Sequence, residues 1–334
     1  MIFNRQRLGI DLGTVNTVIY IEDRGVALRE PSLVVVDHQT NQIIAFGKEA
    51  AAMIGHLPEH CEVISPLVNG VIAHLNYTKE MLAFFIRKAL IRKLSNPDVV
   101  ICVPSNITKL EHKALTDTIK GLGITRAMII EEPYAAALGA KLNIEAAEGQ
   151  LICDIGGGTT DIAILSYQHI IKSQMLKIAG NQFDDAIRMA IRQHYQIKVS
   201  PEDAEALKIK LASAIVFDDE REISEKVQGR HIVTQLPTEQ AITKQFILES
   251  IDPLILEIIT AIQKVLELVD VELSVDILSN GITLTGGGAL LPRLGERIEE
   301  VLKIPVNITD SPLDAVAMGA GQLIKNMTSM SKQG

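Results

Sequence analysis

Twice, about half a chain apart, an apolar strand runs into an aspartate and a glycine turn and then restarts as a second strand. The first unit is Leu8–Ile10, then Asp11-Leu12-Gly13-Thr14-Val15-Asn16-Thr17, continuing to Ile21. The second is Leu151–Ile155, holding Asp154, then Gly156-Gly157-Gly158-Thr159-Thr160-Asp161, then Ile162–Leu165. Two such openings suggest an internal duplication with a cleft between the halves. Three consecutive glycines behind an apolar strand cost conformational entropy and add no packing, so a close approach of backbone to a ligand would explain them.

Around these units strands and helices alternate, which fits an α/β fold with partly parallel sheets covered by helices. Leu33–Val36 and Ile43–Gly47 read as a hairpin, Val99–Val103 and Ala127–Ile130 as strands, and Thr78–Leu94, Lys109–Lys120 and Tyr134–Lys141 as helices. Helical patterns cover 181–194 and 203–215, a small hairpin is expected over 223–235 turning at Gln228–Arg230, and helix returns over 239–270. Strand Ile282–Thr285 breaks into Gly286–Gly288, and Pro292–Leu302 restarts as helix. With 334 residues, 47% of them hydrophobic, the chain can bury two domain cores.

Composition removes several function classes. A net charge of -9 and the lack of Trp argue against wholesale nucleic-acid binding, so none is expected as a partner. Cys61, Cys102 and Cys153 are far apart, with no CxxC pair, and read as buried free thiols in a reducing compartment with no zinc site. No apolar stretch has the length of a signal segment or a membrane span.

The two aspartate–glycine units are candidate phosphate loops. Gly13 can bring backbone N–H groups to a phosphate, and Thr14, Asn16 and Thr17 add short polar side chains. Asp11 would repel phosphate unless a cation stood between them, which points to magnesium; the alternative for this loop alone is an ordinary polar hairpin turn. In the second loop Asp154 could hold magnesium through water, and Thr160 could place a water or phosphate oxygen. A third break, Thr285-Gly286-Gly287-Gly288-Ala289, could let an adenine ring lie against backbone. No Walker A sequence or dinucleotide fingerprint is present. Glu131-Glu132-Pro133 puts two carboxylates between a strand and a helix, either as helix-start acids or as an acceptor for an attacking water, with Glu132 preferred and Glu131 in reserve. Glu205 and Lys208 share a helical face, as a surface pair or as contacts to a nucleoside.

Taken together, these loops resemble the phosphate and adenosine motifs of the actin, sugar kinase and 70-kDa heat-shock ATPase superfamily. Glu131-Glu132-Pro133 with Tyr134-Ala135-Ala136-Ala137, and the run Ala179–Ile187, are similar to the MreB-type bacterial actins, and the likeness covers nearly the whole chain. The resemblance implies a duplicated actin-like fold: residues 1–145 with 313–330 as one domain, holding a small subdomain at about 33–67, and 146–312 as the other, holding one at about 181–242. It implies ATP/ADP and Mg2+ as cofactors, with Asp11 and Asp154 organising the cation and phosphates. Gly13, Thr14, Val15, Asn16, Gly156, Gly157, Gly158 and Thr159 would meet the phosphate tail. Glu132 would position the hydrolytic water beside Thr160, and Gly180, Glu205, Lys208, Gly286, Gly287 and Gly288 would enclose the nucleoside.

The same resemblance implies slow ATP hydrolysis coupled to head-to-tail polymerisation, paired antiparallel protofilaments beneath the cytoplasmic membrane, and a role with cell-wall elongation proteins in rod shape. Two segments are candidates for an anionic membrane surface: Met1, Ile2 and Phe3 before Arg5 and Arg7, and the basic stretch Arg87–Leu94 with Leu90, Ile91 and Leu94. The alternative for the second is a helix end packed internally. Two departures from relatives lie near the expected nucleoside: Ile209-Lys210-Leu211-Ala212-Ser213 after Lys208, and Asn181 where Asp is common. The polar tail from Asn326 is expected to be flexible. A non-hydrolysing scaffold filament and an actin-superfamily metabolite kinase are the other readings.

Overall fold

The computed structural model describes residues 6–90, 97–105 and 107–330. Its frame is two five-stranded sheets of identical plan. In the first, Arg7–Leu12, Asn16–Ile21 and Gly25–Pro31 form an antiparallel meander, and Asp98–Val103 then Arg126–Glu131 add in parallel beyond Arg7–Leu12. In the second, Gln150–Ile155, Thr160–Ser166 and His169–Leu176 form the meander, and Ile282–Thr285 then Val306–Ile308 add in parallel beyond Gln150–Ile155. Strand order and direction correspond one to one, so the duplication seen in the glycine turns extends across both sheets.

The central strands Asp98–Val103 and Thr160–Ser166 are buried throughout, and their apolar stretches, Val99–Val103 and Ile162–Leu165, are unbroken. Each sheet has its own core, one around Leu8, Ile10, Phe85 and Ile101, the other around Ile162, Phe183, Ile255 and Leu284. A third core joins them: Val100 and Cys102 of the first sheet, Ile152 and Ala163 of the second, and Ala135–Ala137 and Val316 of two helices. Those helices, Glu132–Gly139 and Ala315–Met330, follow the equivalent outer strands of the two sheets. They cross so closely that a Cβ on Gly139 would overlap the carbonyl of Ala315, and one on Gly319 would overlap that of Ala135. The contact is reciprocal, Ala135 to Gly319 and Gly139 to Ala315, and it needs small residues because the helix backbones themselves touch.

Local signals explain most helix starts. Thr108 and Glu111 form a capping box ahead of Lys109–Gly121. Ser200 accepts the N–H of Asp203 before Pro201–Leu211, with Pro201 in the first turn. Several expectations need correction. The hairpin expected to turn at Gln228–Arg230 runs straight through it: Ser224–His231 is one strand, its partner is Pro237–Thr243, and the connection is 232–236. Residues 239–243 are therefore strand, and the helix is Lys244–Glu267. The helix placed at Thr78–Leu94 begins at Leu75 and ends at Ala89, and that placed over 203–215 stops at Leu211. From Asn326 the tail continues as helix to Met330.

Candidate functional site

A cleft of about 550 Å³ opens between the two sheets, at the carboxyl ends of their parallel strands, the usual ligand position in open α/β sheets. Both glycine loops line it, the first through Asp11, Gly13, Thr14, Val15 and Asn16, the second through Asp154, Gly156, Gly157, Gly158 and Thr159. Glu132, Gly180, Glu205, Lys208, Gly286, Gly287 and Gly288 also reach its wall. Glu131 and Thr160 are absent from it. Glu131 is exposed at the N-cap of the helix that Glu132 opens. Thr160 is fully buried, and its hydroxyl donates to the Ile178 carbonyl at 2.6 Å.

The first loop is held from behind. Ser32 Oγ donates to the Gly13 carbonyl at 2.7 Å, the Ser32 N–H to the Val15 carbonyl at 2.8 Å, and the Gly70 N–H to Thr14 Oγ1 at 3.0 Å. The second closes on itself, Gly156 N–H to the Thr159 carbonyl at 2.8 Å, and is continued by Asn181 N–H to the Gly157 carbonyl at 2.8 Å. The loops face one another in contact. A Cβ on Gly157 would overlap Val15, and one on Gly158 would lie 2.7 Å from Thr14 Cγ2. These two glycines are thus required by the opposite loop, and not only by a ligand. Gly286 has a φ of 81°, and a side chain there would run into Asp154 and Ile155. Gly287 meets nothing nearer than Leu313 at 3.4 Å and is the member of the third break that leaves backbone open to the cleft.

Behind the loops lies a cluster of carboxylates, Glu132, Asp154 and Asp161 buried and Asp11 half-buried. Burial raises Asp11 to about 7, a rise opposed by Arg29 and aided by Asp314. Burial, then Asp161, Asp11 and Asp154, pushes Glu132 well above the carboxylate range; burial, then Asp11 and Asp161, does the same for Asp154. Asp161 rises to about 7 through burial, against hydrogen bonds from Thr159 and the Ser105 backbone, and its Oδ1 has no hydrogen-bond partner. Four acids that repel one another, with Arg29 as the cation acting on Asp11 and no ion pair to any of the four among the described residues, fit a hard divalent cation with oxygen ligands. Of these, Asp11, Glu132 and Asp154 reach the cleft wall, and Asp11 and Asp154 could hold such a cation.

Elsewhere on the cleft wall Lys208 is already engaged, donating to the Gly180 carbonyl at 3.1 Å and to Asp184 Oδ2 at 2.8 Å. Asp184 still rises to about 6, because burial outweighs Lys208 and because Glu205 and Asp185 add to it. Glu205 is exposed on the cleft wall and unpaired with Lys208 among the described residues. Of the two departures, Asn181 lines the cleft, and from the run Ile209-Lys210-Leu211-Ala212-Ser213 only Ile209 does. The sequence singled out neither Arg29 nor Asp184. Arg29 reaches the wall from Gly25–Pro31 and pairs with Asp314, a contact between distant segments that no local pattern announces. Asp161 was legible only as part of its loop; its register opposite Asp154 is what brings it to the cluster.

Of the membrane candidates, Leu90 caps its helix and packs against the first core, while Lys88 pairs with Glu30 at 2.9 Å. Met1, Ile2, Phe3, Ile91 and Leu94 lie outside the described residues. Among the described residues no helix is long and apolar enough to cross a membrane.

Comparison with known proteins gives the same reading along the whole chain. The sequence pattern of the MreB/Mbl protein family matches residues 5–332. The chain is 39% identical over 327 residues to the cell shape-determining protein Mbl of Bacillus subtilis (strain 168), covering 98% of each. It is 36% identical to the cell shape-determining protein MreB of Escherichia coli (strain K12), covering 95% of this chain and 93% of that one. The crystal structure of MreB5 of Spiroplasma citri bound to AMPPNP superposes with a TM-score of 0.92 at 36% identity over 99% of both chains. A MamK double helical filament, at 22% identity and a TM-score of 0.81, shares the fold. The actin-like architecture is therefore established, and the chain belongs to the MreB/Mbl family.

Proposed function

We propose that this chain binds ATP with Mg2+ in the cleft, hydrolyses it slowly, and assembles into filaments at the inner face of the cell membrane that help organise cell-wall synthesis and rod shape. The observation that carries this reading is the pair of opposed glycine loops over a floor of Asp11, Glu132, Asp154 and Asp161. Relatives named for cell shape share the whole chain, and MreB5 has been seen with both AMPPNP and ADP.

The loops supply backbone N–H groups and the hydroxyl of Thr14 to a phosphate tail, the Thr159 hydroxyl being taken by Asp161, while Asp11 and Asp154 hold the cation. Bound there, Mg2+ supplies the positive charge that lets phosphates approach the acids. Burial and the neighbouring acids favour the protonated form of Glu132. With a cation held by Asp11 and Asp154 its carboxylate is favoured instead, and could then hold a water and accept its proton as the water oxygen bonds to the γ-phosphorus and ADP leaves. Closure on nucleotide would bias one arrangement of the halves and so couple the cleft to assembly. Helix Val271–Asn280 and its approach expose Leu268, Val271, Val275 and Leu278 along one face, and Val233 and Leu236 are exposed on the 232–236 turn. Patches of this kind at different places on one subunit suit a head-to-tail, non-closing contact, and two antiparallel protofilaments would pair on a further face. With Leu90 packed inward, the membrane contact is assigned to Met1, Ile2, Phe3, Ile91 and Leu94, strengthened by repetition along the filament.

The test is sedimentation with and without anionic liposomes and MgATP, with phosphate release read from the same samples. Nucleotide-dependent pelleting with slow release is expected. Rapidly hydrolysing monomers that ignore liposomes would overturn the reading in favour of a kinase. Pelleting with no release at all would leave a scaffold filament, to which the engaged Thr160 hydroxyl is the one structural pointer.

A further inference from the structure

We propose that Asp37, His60 and Cys61 form a zinc-class metal site on the small sheet built from Val34–Asp37, Gln42–Phe46 and Cys61–Ile64. One ligand atom from each of the three lies within 4.8 Å of the other two. The sheet enforces the meeting. Asp37 pairs with Cys61 in antiparallel register, which sends both side chains to one face. His60, next in the chain, is fixed by the His38 N–H donating to its carbonyl at 2.9 Å, and the Cys61 N–H donates to the Pro58 carbonyl at 2.9 Å.

The carboxylate is aimed as well. Asp37 Oδ1 accepts the N–H groups of Gln39 at 2.7 Å and Thr40 at 3.2 Å. Those bonds, with a further one from the Thr40 side chain, orient the group, the arrangement by which outer partners orient a ligating carboxylate. Among the described residues no hydrogen bond or ion pair joins the three side chains to one another. Their convergence is therefore not explained by direct bonding.

The donor set decides the metal. Thiolate and imidazole disfavour magnesium and calcium, whereas one sulfur, one nitrogen and one oxygen suit zinc, with its fourth position left to water. Cys61 is half-buried at the edge of the small core of Val35, Ala45 and Ala50, so one side of the site is apolar. Burial and the Asp37 charge keep the free thiol protonated, and metal binding would release that proton. The spacing of the cysteines along the chain argued against a zinc site. What spacing could not show is that one ligand comes from a strand more than twenty residues away. An occupied site would tie the end of the first strand of this small sheet to the start of the third, away from the nucleotide cleft.

The experiment is a titration of metal-free, full-length protein with Co2+ and then Zn2+, in excess Mg2+ and without nucleotide. One equivalent of cobalt should produce a thiolate-to-cobalt charge-transfer band with tetrahedral d–d bands, and zinc should bleach both. Cys61→Ser should abolish the charge-transfer band, while His60→Ala and Asp37→Asn should each lower zinc affinity by roughly tenfold or more. Zinc should raise the Tm of the wild type and not of Cys61→Ser. Circular dichroism of metal-free Cys61→Ser and Cys61→Ala checks that the fold survives, and buried Cys102 and Cys153 serve as internal controls. Absence of the thiolate band, or zinc affinity unchanged in Cys61→Ser or His60→Ala, would overturn the proposal.

Discussion

The two halves share one plan, yet the residues beside their equivalent aspartates differ in kind. Asp11 has Val18 and Cys102 as its neighbours across the sheet, whereas Asp154 has Asp161 and Thr285. The two positions are equivalent in the sheets, and the polar neighbours are concentrated at the second. The glycines follow the same bias. The first loop carries Gly13 alone and projects Thr14 and Val15; the second is reduced to Gly156–Gly158 and receives them. One half thus offers side chains and the other offers backbone, and the cleft needs both.

The largest effect expected from breaking this division concerns the acid that the first half contributes. Glu132→Ala should slow phosphate release by about a hundredfold or more with nucleotide binding retained, while the exposed Glu131 changed to Ala should leave the rate alone; single-turnover assays separate the two. Next comes the loop contact. Gly157→Val should cost about 1–3 kcal/mol of stability through overlap with Val15 and weaken ATP binding. Val15→Ala should restore much of both, and a double-mutant cycle read by denaturation and fluorescent nucleotide binding measures the coupling.

A third prediction uses the acid floor. Asp11 and Asp161 rise to about 7 in the fold from a starting value of 3.8. A carboxyl with a raised folded-state pKa holds its proton more tightly when folded. Its contribution to stability is full below the unfolded pKa and is lost as pH climbs through the folded one. The Tm of the nucleotide-free protein should therefore fall, by roughly 5 °C, between pH 5 and pH 8. MgATP should flatten that fall, and Asp161→Asn should reduce it where Val18→Ala does not. The smallest effect is expected at Asn181: restoring an Asp there should change ATP affinity by less than about fivefold, measured by calorimetry.

Much of this was legible in the sequence because the informative features are local. Strand, aspartate and glycine turn are adjacent in the chain, so Asp11, Asp154 and the third break at Gly286 were found with their loops. Pro133 and the preceding acids marked a real helix start. What failed depended on distant segments. Gly229 looked like a turn residue, yet it sits mid-strand because a side chain there would strike Ile197 and Lys198 on the neighbouring strand. Thr160 looked free beside a phosphate loop, but the Ile178 carbonyl, eighteen residues on, takes its hydroxyl. Arg29 and the Asp37–His60–Cys61 group had no local pattern to betray them.

The reciprocal crossing of Glu132–Gly139 and Ala315–Met330 has a further meaning. Because Ala135 meets Gly319 and Gly139 meets Ala315, the contact has the form of a symmetric homodimer interface in which each partner presents the same patch. A half-chain bearing one such helix presents a surface complementary to its own copy. The present molecule is thus a dimer written into one polypeptide, free to let its two copies diverge while the seam between them stays bound by the need to match itself.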